Sequence, residues 1–206
     1  MNEALFLVTN FCSANCNHCH ISTSEKNNYL QNEKQIFNSL VSFSKDKSFI
    51  LLSGGEPLEI SISLLKKIVI FLESKSIFYK IATGGHVTIE NLYHLFENKR
   101  FFCGFSIGTD ILIDSRNNNA HELKKIWNKN LNFLNLKKIP YSLTLTYDKS
   151  LHSFFTMNEQ IFINCNPTFV MLNELENYKL DDSTKVELTD QVNTIFSKKL
   201  ILGFQN

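Results

Sequence analysis

Three cysteines stand close together in the stretch FCSANCNHCH, residues 11–20. Cys12, Cys16 and Cys19 follow a C-x3-C-x2-C spacing directly after an apolar run. Thiolates are soft ligands, and three on one short loop can grip three corners of a [4Fe–4S] cubane. The fourth iron then has no protein ligand and offers an open position to a substrate or cofactor. A structural Zn2+ ion is a second reading of the same loop, with His18 or His20 completing a Cys3His set. Thiols that merely pack are the third.

A second pattern bears on the choice. The apolar stretch Phe49–Leu52 ends in Ser53-Gly54-Gly55-Glu56-Pro57. Adjacent glycines at the carboxyl end of a parallel strand leave backbone amides and carbonyls open to a ligand, at the edge where α/β proteins bind theirs. Alone, SGGEP is equally an ordinary strand-to-helix turn. With C-x3-C-x2-C after the first strand and GGEP after the second, the chain resembles the radical S-adenosylmethionine (SAM) superfamily over roughly residues 4–170.

That resemblance implies a [4Fe–4S] cluster held by Cys12, Cys16 and Cys19, with SAM chelating the unique iron. It implies reductive cleavage of SAM to methionine and a 5′-deoxyadenosyl radical that abstracts a substrate hydrogen. An electron donor such as flavodoxin or ferredoxin would be needed. His18 would lay its backbone beside the adenine. Ser53, Gly54, Gly55 and Glu56 would meet the methionyl amine, largely through backbone atoms. Ser106, in GFSIG, matches a polar residue on the SAM carboxylate or ribose, although a strand-end hydroxyl also bonds its own backbone. Thr144 and Thr146, and Asn164 and Asn166, would line the lumen. Asp110, Asp114 and Arg116 echo a stretch found in peptide-modifying members, and helix capping explains Asp114 and Arg116 as well. Thr83-Gly84-Gly85-His86 sits where the family often has a Thr-Asn-Gly turn. His86 is expected as a solvated loop histidine, with substrate contact as the other reading. A thiol near the radical site can return a hydrogen atom, which makes Cys165 a candidate donor and Cys103 a second. Packing is the commoner fate of such cysteines.

The elements that must position these residues are legible as short apolar strands alternating with amphipathic stretches. The strands expected are Leu5–Thr9, Phe49–Ser53, Phe78–Thr83, Phe102–Ile107, Tyr141–Thr146 and Ile161–Asn164. Helical spacing joins Ile36, Leu40, Val41 and Phe43, then Leu64, Leu65, Ile68, Phe71 and Leu72. It recurs in Ile89, Leu92, Leu95 and Phe96, in Leu123, Ile126, Trp127, Leu131 and Leu134, and in Val186, Val192, Ile195 and Phe196. This alternation predicts an α/β fold with a parallel sheet wrapped by helices. The 206 residues suit about six βα units rather than eight, so a partial (β/α)6 barrel is expected, with an open doubly wound sheet as the rival. In YSLTLTYD, residues 141–148, polar and apolar side chains alternate, which suits a lumen strand or an edge strand.

Bulk properties narrow the class. With 43% hydrophobic residues and 18 phenylalanines, the chain can build a large core, and a net charge of +1 gives no reason to expect nucleic acid or an anionic membrane. The apolar run Ala4–Val8 is too short for a signal-peptide core or a membrane span. A cytoplasmic setting with reduced thiols is therefore expected, and five cysteines, an odd number, argue against a disulfide framework. The organisation expected is one domain over 1–206, with a core to about residue 170 and a helical segment over 171–206. With no cysteine-rich extension or leader-binding module in view, auxiliary clusters are not expected. A near-minimal core has an open mouth, which suits a peptide or protein substrate, as in maturation of a ribosomally made peptide. A glycyl-radical-enzyme activase, a small-molecule enzyme of the deazaguanine-synthase kind, and a non-catalytic zinc-stabilised binding protein are the alternatives.

Overall fold

The structure is a computed structural model that describes residues 2–14, 16, 19, 32–109, 120–147, 166–174, 186 and 190. Its elements run β1 (Glu3–Thr9), α1 (Glu33–Phe43), β2 (Phe49–Gly54), α2 (Ile62–Ser74), β3 (Phe78–Thr83), α3 (Ile89–Leu92), β4 (Phe102–Gly108), α4 (Ala120–Lys137), β5 (Tyr141–Tyr147) and β6 (Phe169–Glu174). All six strands join one sheet in the order β1-β2-β3-β4-β5-β6, and every neighbouring pair is parallel. A doubly wound sheet reverses its strand order at a switch point. Here each crossover advances the same way, and right-handed connections then stack the helices on one face. This is the winding of a partial (β/α)6 barrel, and the doubly wound alternative falls.

Local signals explain the helices. Asn32 caps α1, its side chain accepting from the Gln35 amide at 3.1 Å, and Ile36 and Leu40 are buried. Ser61 does the same for α2 through the Leu64 amide, also at 3.1 Å, and Leu64, Leu65, Ile68, Val69 and Leu72 form its buried stripe. The third helical stretch is shorter than its spacing suggests: α3 is one turn and passes into a tight turn at Tyr93–Leu95. In α4, Trp127, Leu131 and Leu134 are buried at helical spacing.

The sheet has two unlike faces. Phe6, Val8, Tyr79, Ile81, Phe105, Ile107, Leu143 and Leu145 are buried in the core shared with the helices. The opposite face carries Leu5 and Leu7, each more than half exposed, and the polar Lys80, Ser106, Ser142 and Thr144. The register confirms the alignment, pairing Ala82 with Ser106, Ser106 with Ser142, and Gly108 with Thr144. β5 lies between β4 and β6, so the alternation in YSLTLTY belongs to an interior strand with a polar lumen face and not to an edge strand.

Two expectations about the carboxyl-terminal part change. The strand expected at Ile161–Asn164 lies outside the described residues, and the sixth strand described is Phe169–Glu174. The strand also continues four residues past the boundary at 170, so 171–174 belong to the sheet and not to a helical segment. Of the last helical pattern only Val186 is described, in helical conformation.

Candidate active site

The carboxyl ends of β1, β2 and β3 are bound into one unit by backbone hydrogen bonds and one buried carboxylate. Thr9, the last residue of β1, pairs with Gly54. Beyond it the Thr9 carbonyl accepts from the Gly55 amide, and the Phe11 carbonyl accepts from the Glu56 amide at 2.7 Å. So close an approach needs glycine. A Cβ on Gly54 would lie 2.2 Å from the Thr9 carbonyl oxygen, and its φ of +119° strains any other residue. A Cβ on Gly55 would lie 2.1 Å from the Phe11 carbonyl oxygen. The amides of Gly55 and Glu56, expected to face a ligand, are thus engaged by the start of the cysteine loop.

Glu56 has no exposed surface at all. Its carboxylate accepts from the Leu58 amide at 3.1 Å, from the Thr83 hydroxyl at 2.9 Å and from the Gly84 amide at 3.0 Å, locking the β2 turn to the β3 turn. Burial pushes its pKa above the ordinary carboxylate value, against the pull of His86 and of those three hydrogen bonds. The side chain is therefore a latch, and only the backbone at this position faces the loops.

His86 is not the solvated loop residue expected from sequence. Its side chain is 3% exposed, with Nδ1 3.6 Å from Glu56 and Nε2 3.5 Å from Glu59. Neither nitrogen has a hydrogen-bond partner. Burial opposes the imidazolium, but Cys12, Glu59 and Glu56 outweigh it and raise His86 to about 10. Glu59 is held from the cysteine loop, where the amide of Ser13 donates to it at 2.9 Å and the Ser13 hydroxyl donates to its other oxygen. Burial raises the Glu59 pKa, His86 and Ser13 lower it, and the net direction is down.

Cys12, Cys16 and Cys19 are each partly buried and form no disulfide. Cys12 and Cys16 pack on the core, and the Cys19 amide donates to the Cys16 carbonyl at 3.2 Å. One imidazole nitrogen of His86, one oxygen of Glu59 and the Cys12 sulfur lie within 4.8 Å of one another. Further along the sheet edge the hydroxyls of Ser106 and Thr144 meet at 3.3 Å, and the Thr144 carbonyl accepts from the Thr109 amide at 3.1 Å. The structure thus brings together two groups expected from sequence: the cysteine loop with GGE, and Ser106 with Thr144. Cys103 lies near the amino end of β4, partly buried, three residues short of Ser106. The readings placed on His18, His20, Asp110, Asp114, Arg116, Asn164, Cys165 and the Thr146 side chain fall outside the described residues.

Several residues that matter here gave little sequence signal. Asn130 is buried in α4, and its amide nitrogen donates to the carbonyls of Gly85 and Val87, both at 2.8 Å. Its oxygen accepts from the Ile89 amide at 2.9 Å. Trp127 donates to the Gly108 carbonyl at 2.9 Å, and a Cβ on Gly85 would lie 2.5 Å from its ring. Together they hold the loop that carries His86. Lys80 is a lumen-face lysine whose Nζ sits 2.6 Å from the Ser142 hydroxyl and 4.4 Å from the centre of the Phe169 ring. Burial lowers its pKa to about 8.

No protein-family model matches the chain, and no curated protein matches its sequence. Solved structures do match its fold. Streptococcus suis SuiB bound to S-adenosylmethionine superposes with a TM-score of 0.67 at 14% identity, covering 99% of this chain and 50% of that one. SuiB crystallised without a named ligand gives 0.66 at 14% identity, over 99% of this chain and 49% of that one. SuiB bound to its precursor peptide SuiA gives 0.62 at 14% identity, over 99% and 48%. The shared feature is the α/β partial barrel, and the chain spans about half the length of SuiB. Among the described residues no helix is long and apolar enough to cross a membrane.

Proposed function

We propose that this chain is a radical SAM enzyme core acting on a peptide or protein substrate. The observation that carries the reading is the union of the cysteine loop with the GGE turn. Three partly exposed thiols, outside any disulfide, stand at the carboxyl edge of β1, fixed by the Gly55 and Glu56 amides. A set of three soft donors on one loop fits an iron–sulfur cluster and leaves one iron open. Cys12, Cys16 and Cys19 would hold it. When bound and reduced by a donor such as flavodoxin or ferredoxin, a [4Fe–4S] cluster supplies the electron that splits SAM into methionine and a 5′-deoxyadenosyl radical.

The chain's own residues do the positioning. Glu56 and the two glycines hold the GGE backbone against the thiol loop. The paired hydroxyls of Ser106 and Thr144 offer hydrogen bonds to the polar parts of SAM on the lumen face. The exposed Leu5 and Leu7 extend that face with apolar surface suited to a peptide chain. The peptide assignment is supported by the fold shared with SuiB, which binds the precursor peptide SuiA, and a reducing cytoplasmic setting suits the open thiols.

The test is anaerobic reconstitution with iron and sulfide, followed by dithionite and SAM, with 5′-deoxyadenosine measured by mass spectrometry. The product is expected from the full chain and not from Cys16→Ala. A protein that takes up no iron–sulfur cluster and stays colourless with bound zinc would sink this reading in favour of a zinc-stabilised binding protein.

A further inference from the structure

The thiol of Cys12 has a second set of neighbours besides Cys16 and Cys19. His86 and Glu59 meet it from the turns after β3 and β2, with donor atoms of all three residues within 4.8 Å of one another. The histidine is buried and both its nitrogens lack hydrogen-bond partners. A buried imidazole left unpaired costs stability, so native structures rarely leave one without a ligand. The separations are informative. At 3.5 Å the His86 Nε2 and a Glu59 oxygen are too far apart for a good hydrogen bond. Metal bonds of ~2.1 Å in a tetrahedron set ligand atoms ~3.4 Å apart, so this edge already has the length an ion requires.

The surroundings support the same conclusion. Metal-bound histidines are oriented by an acceptor on the other ring nitrogen, and Nδ1 of His86 faces the buried Glu56 carboxylate at 3.6 Å. Glu56 is fixed in turn by Thr83 and Gly84. The Glu59 carboxylate is fixed by the amide and hydroxyl of Ser13. Two of the three donors are therefore preset by a second layer, and the third belongs to the cysteine loop itself.

We propose that Cys12, Glu59 and His86 form a mononuclear divalent-metal site, suited to Zn2+, that needs neither Cys16 nor Cys19. Binding takes the metal as a dication, releases the Cys12 thiol proton to solvent and leaves a thiolate, a carboxylate and a neutral imidazole as ligands, with a fourth position open to water. The two anionic ligands balance the charge of the ion. This site stands on its own geometry and does not rest on the proposed function. It shares Cys12 with the cluster, so the ion and the cluster exclude each other, and Zn2+ occupancy blocks cluster loading.

The experiment uses the full chain, stripped of metal and kept reduced, titrated with Co2+ as a coloured probe and then with Zn2+. One equivalent of Co2+ is expected, with the bands of a four-coordinate site and a thiolate-to-cobalt transition, displaced by Zn2+. The double variant Cys16→Ala/Cys19→Ala should keep that equivalent, whereas Cys12→Ser and His86→Gln should each weaken binding at least ~10-fold. Absence of binding, or its loss in the double variant, overturns the proposal. X-ray absorption of the Zn2+-loaded parent chain guards against a variant that fails to fold: one sulfur with nitrogen and oxygen neighbours supports the site, and three sulfurs refute it. Cluster uptake is measured separately by anaerobic reconstitution, so failure of this site leaves that result untouched.

Discussion

Replacing Gly55 by alanine tests whether the cysteine loop is held by the close approach described above. The new Cβ would lie 2.1 Å from the Phe11 carbonyl oxygen, against ~3.5 Å for an ordinary contact. The atom it meets is backbone, so no side-chain rotation relieves it. The loop and the turn must separate, breaking the hydrogen bonds from Gly55 to Thr9 and from Glu56 to Phe11. Two backbone hydrogen bonds contribute about 1 kcal/mol each, and an amide left unpaired beside a buried side chain adds more, for a total of ~2–4 kcal/mol. In a domain of this size each kcal/mol lowers Tm by ~2–4 °C, so the expected fall is roughly 5–15 °C. Thermal circular dichroism measures it, and the fluorescence of Trp127, the single tryptophan, checks that the transition is cooperative. Iron uptake on reconstitution should fall alongside. Gly84→Ala is the control, because its Cβ meets only a side-chain atom, His86 Nδ1 at 3.0 Å, and its loss should be smaller. A Gly55→Ala protein melting within ~2 °C of the parent would refute the close-approach reasoning.

Three further expectations concern charge and ligand contacts. His86 has a folded pKa of about 10 against 6.5 for the unfolded chain, so its stabilisation is complete below pH 6.5 and is lost as pH rises toward 10; urea midpoints of the metal-free chain should decline over that window, and less so in His86→Gln. Lys80 shifts the other way, from 10.5 to about 8, so its contribution is present above 10.5 and lost as pH falls to 8; Lys80→Met should flatten the profile between pH 8 and 10.5, and an unchanged slope would mean that burial does not shift this amine. Ser106→Ala and Thr144→Val should each weaken SAM binding to the reconstituted protein about 5-fold, the worth of one hydrogen bond near 1 kcal/mol, with Tm little changed. Calorimetric affinities equal to the parent's would remove these hydroxyls from the SAM site.

The sheet was legible because each of its first five strands is a short apolar run closed by a turn signal, and the run length fixed the period without tertiary knowledge. Phe169–Glu174 was harder, since FVMLNE follows a proline and offers no polar alternation to mark one face. The cysteine loop and GGEP announced themselves by composition. What the letters could not show was direction. Gly54 and Gly55 were read as opening backbone to a ligand, whereas they let two backbones touch each other. Both uses need glycine, and only the neighbouring strand decides between them. His86 failed for a similar reason. A histidine in a Gly-Gly turn looks solvent-facing until Glu56 and Glu59, which are distant in sequence, close over it. Asn130 carried no signal because a helical asparagine is ordinarily a surface residue, and its burial depends on the turn that it caps from outside.

These placements make the site and the fold hard to separate. The cysteine loop is tied to the β2 turn by two amides, and the β2 turn is tied to the β3 turn by the Glu56 carboxylate. The β3 turn is pinned to α4 by Asn130 and crowded by Trp127. A chain of contacts therefore runs from a helix on the outer face to the thiols on the lumen edge. Every link in it is short-range and directional, so a displacement at any one cannot be absorbed by soft packing and must pass along. Rigidity is what three thiols on one loop require, because a cluster or an ion fixes ligand positions far more tightly than a short loop with few contacts of its own can hold them. The buried carboxylate has the same logic. Placing Glu56 out of water costs stability, and the return is that three turns from three different strands share one acceptor.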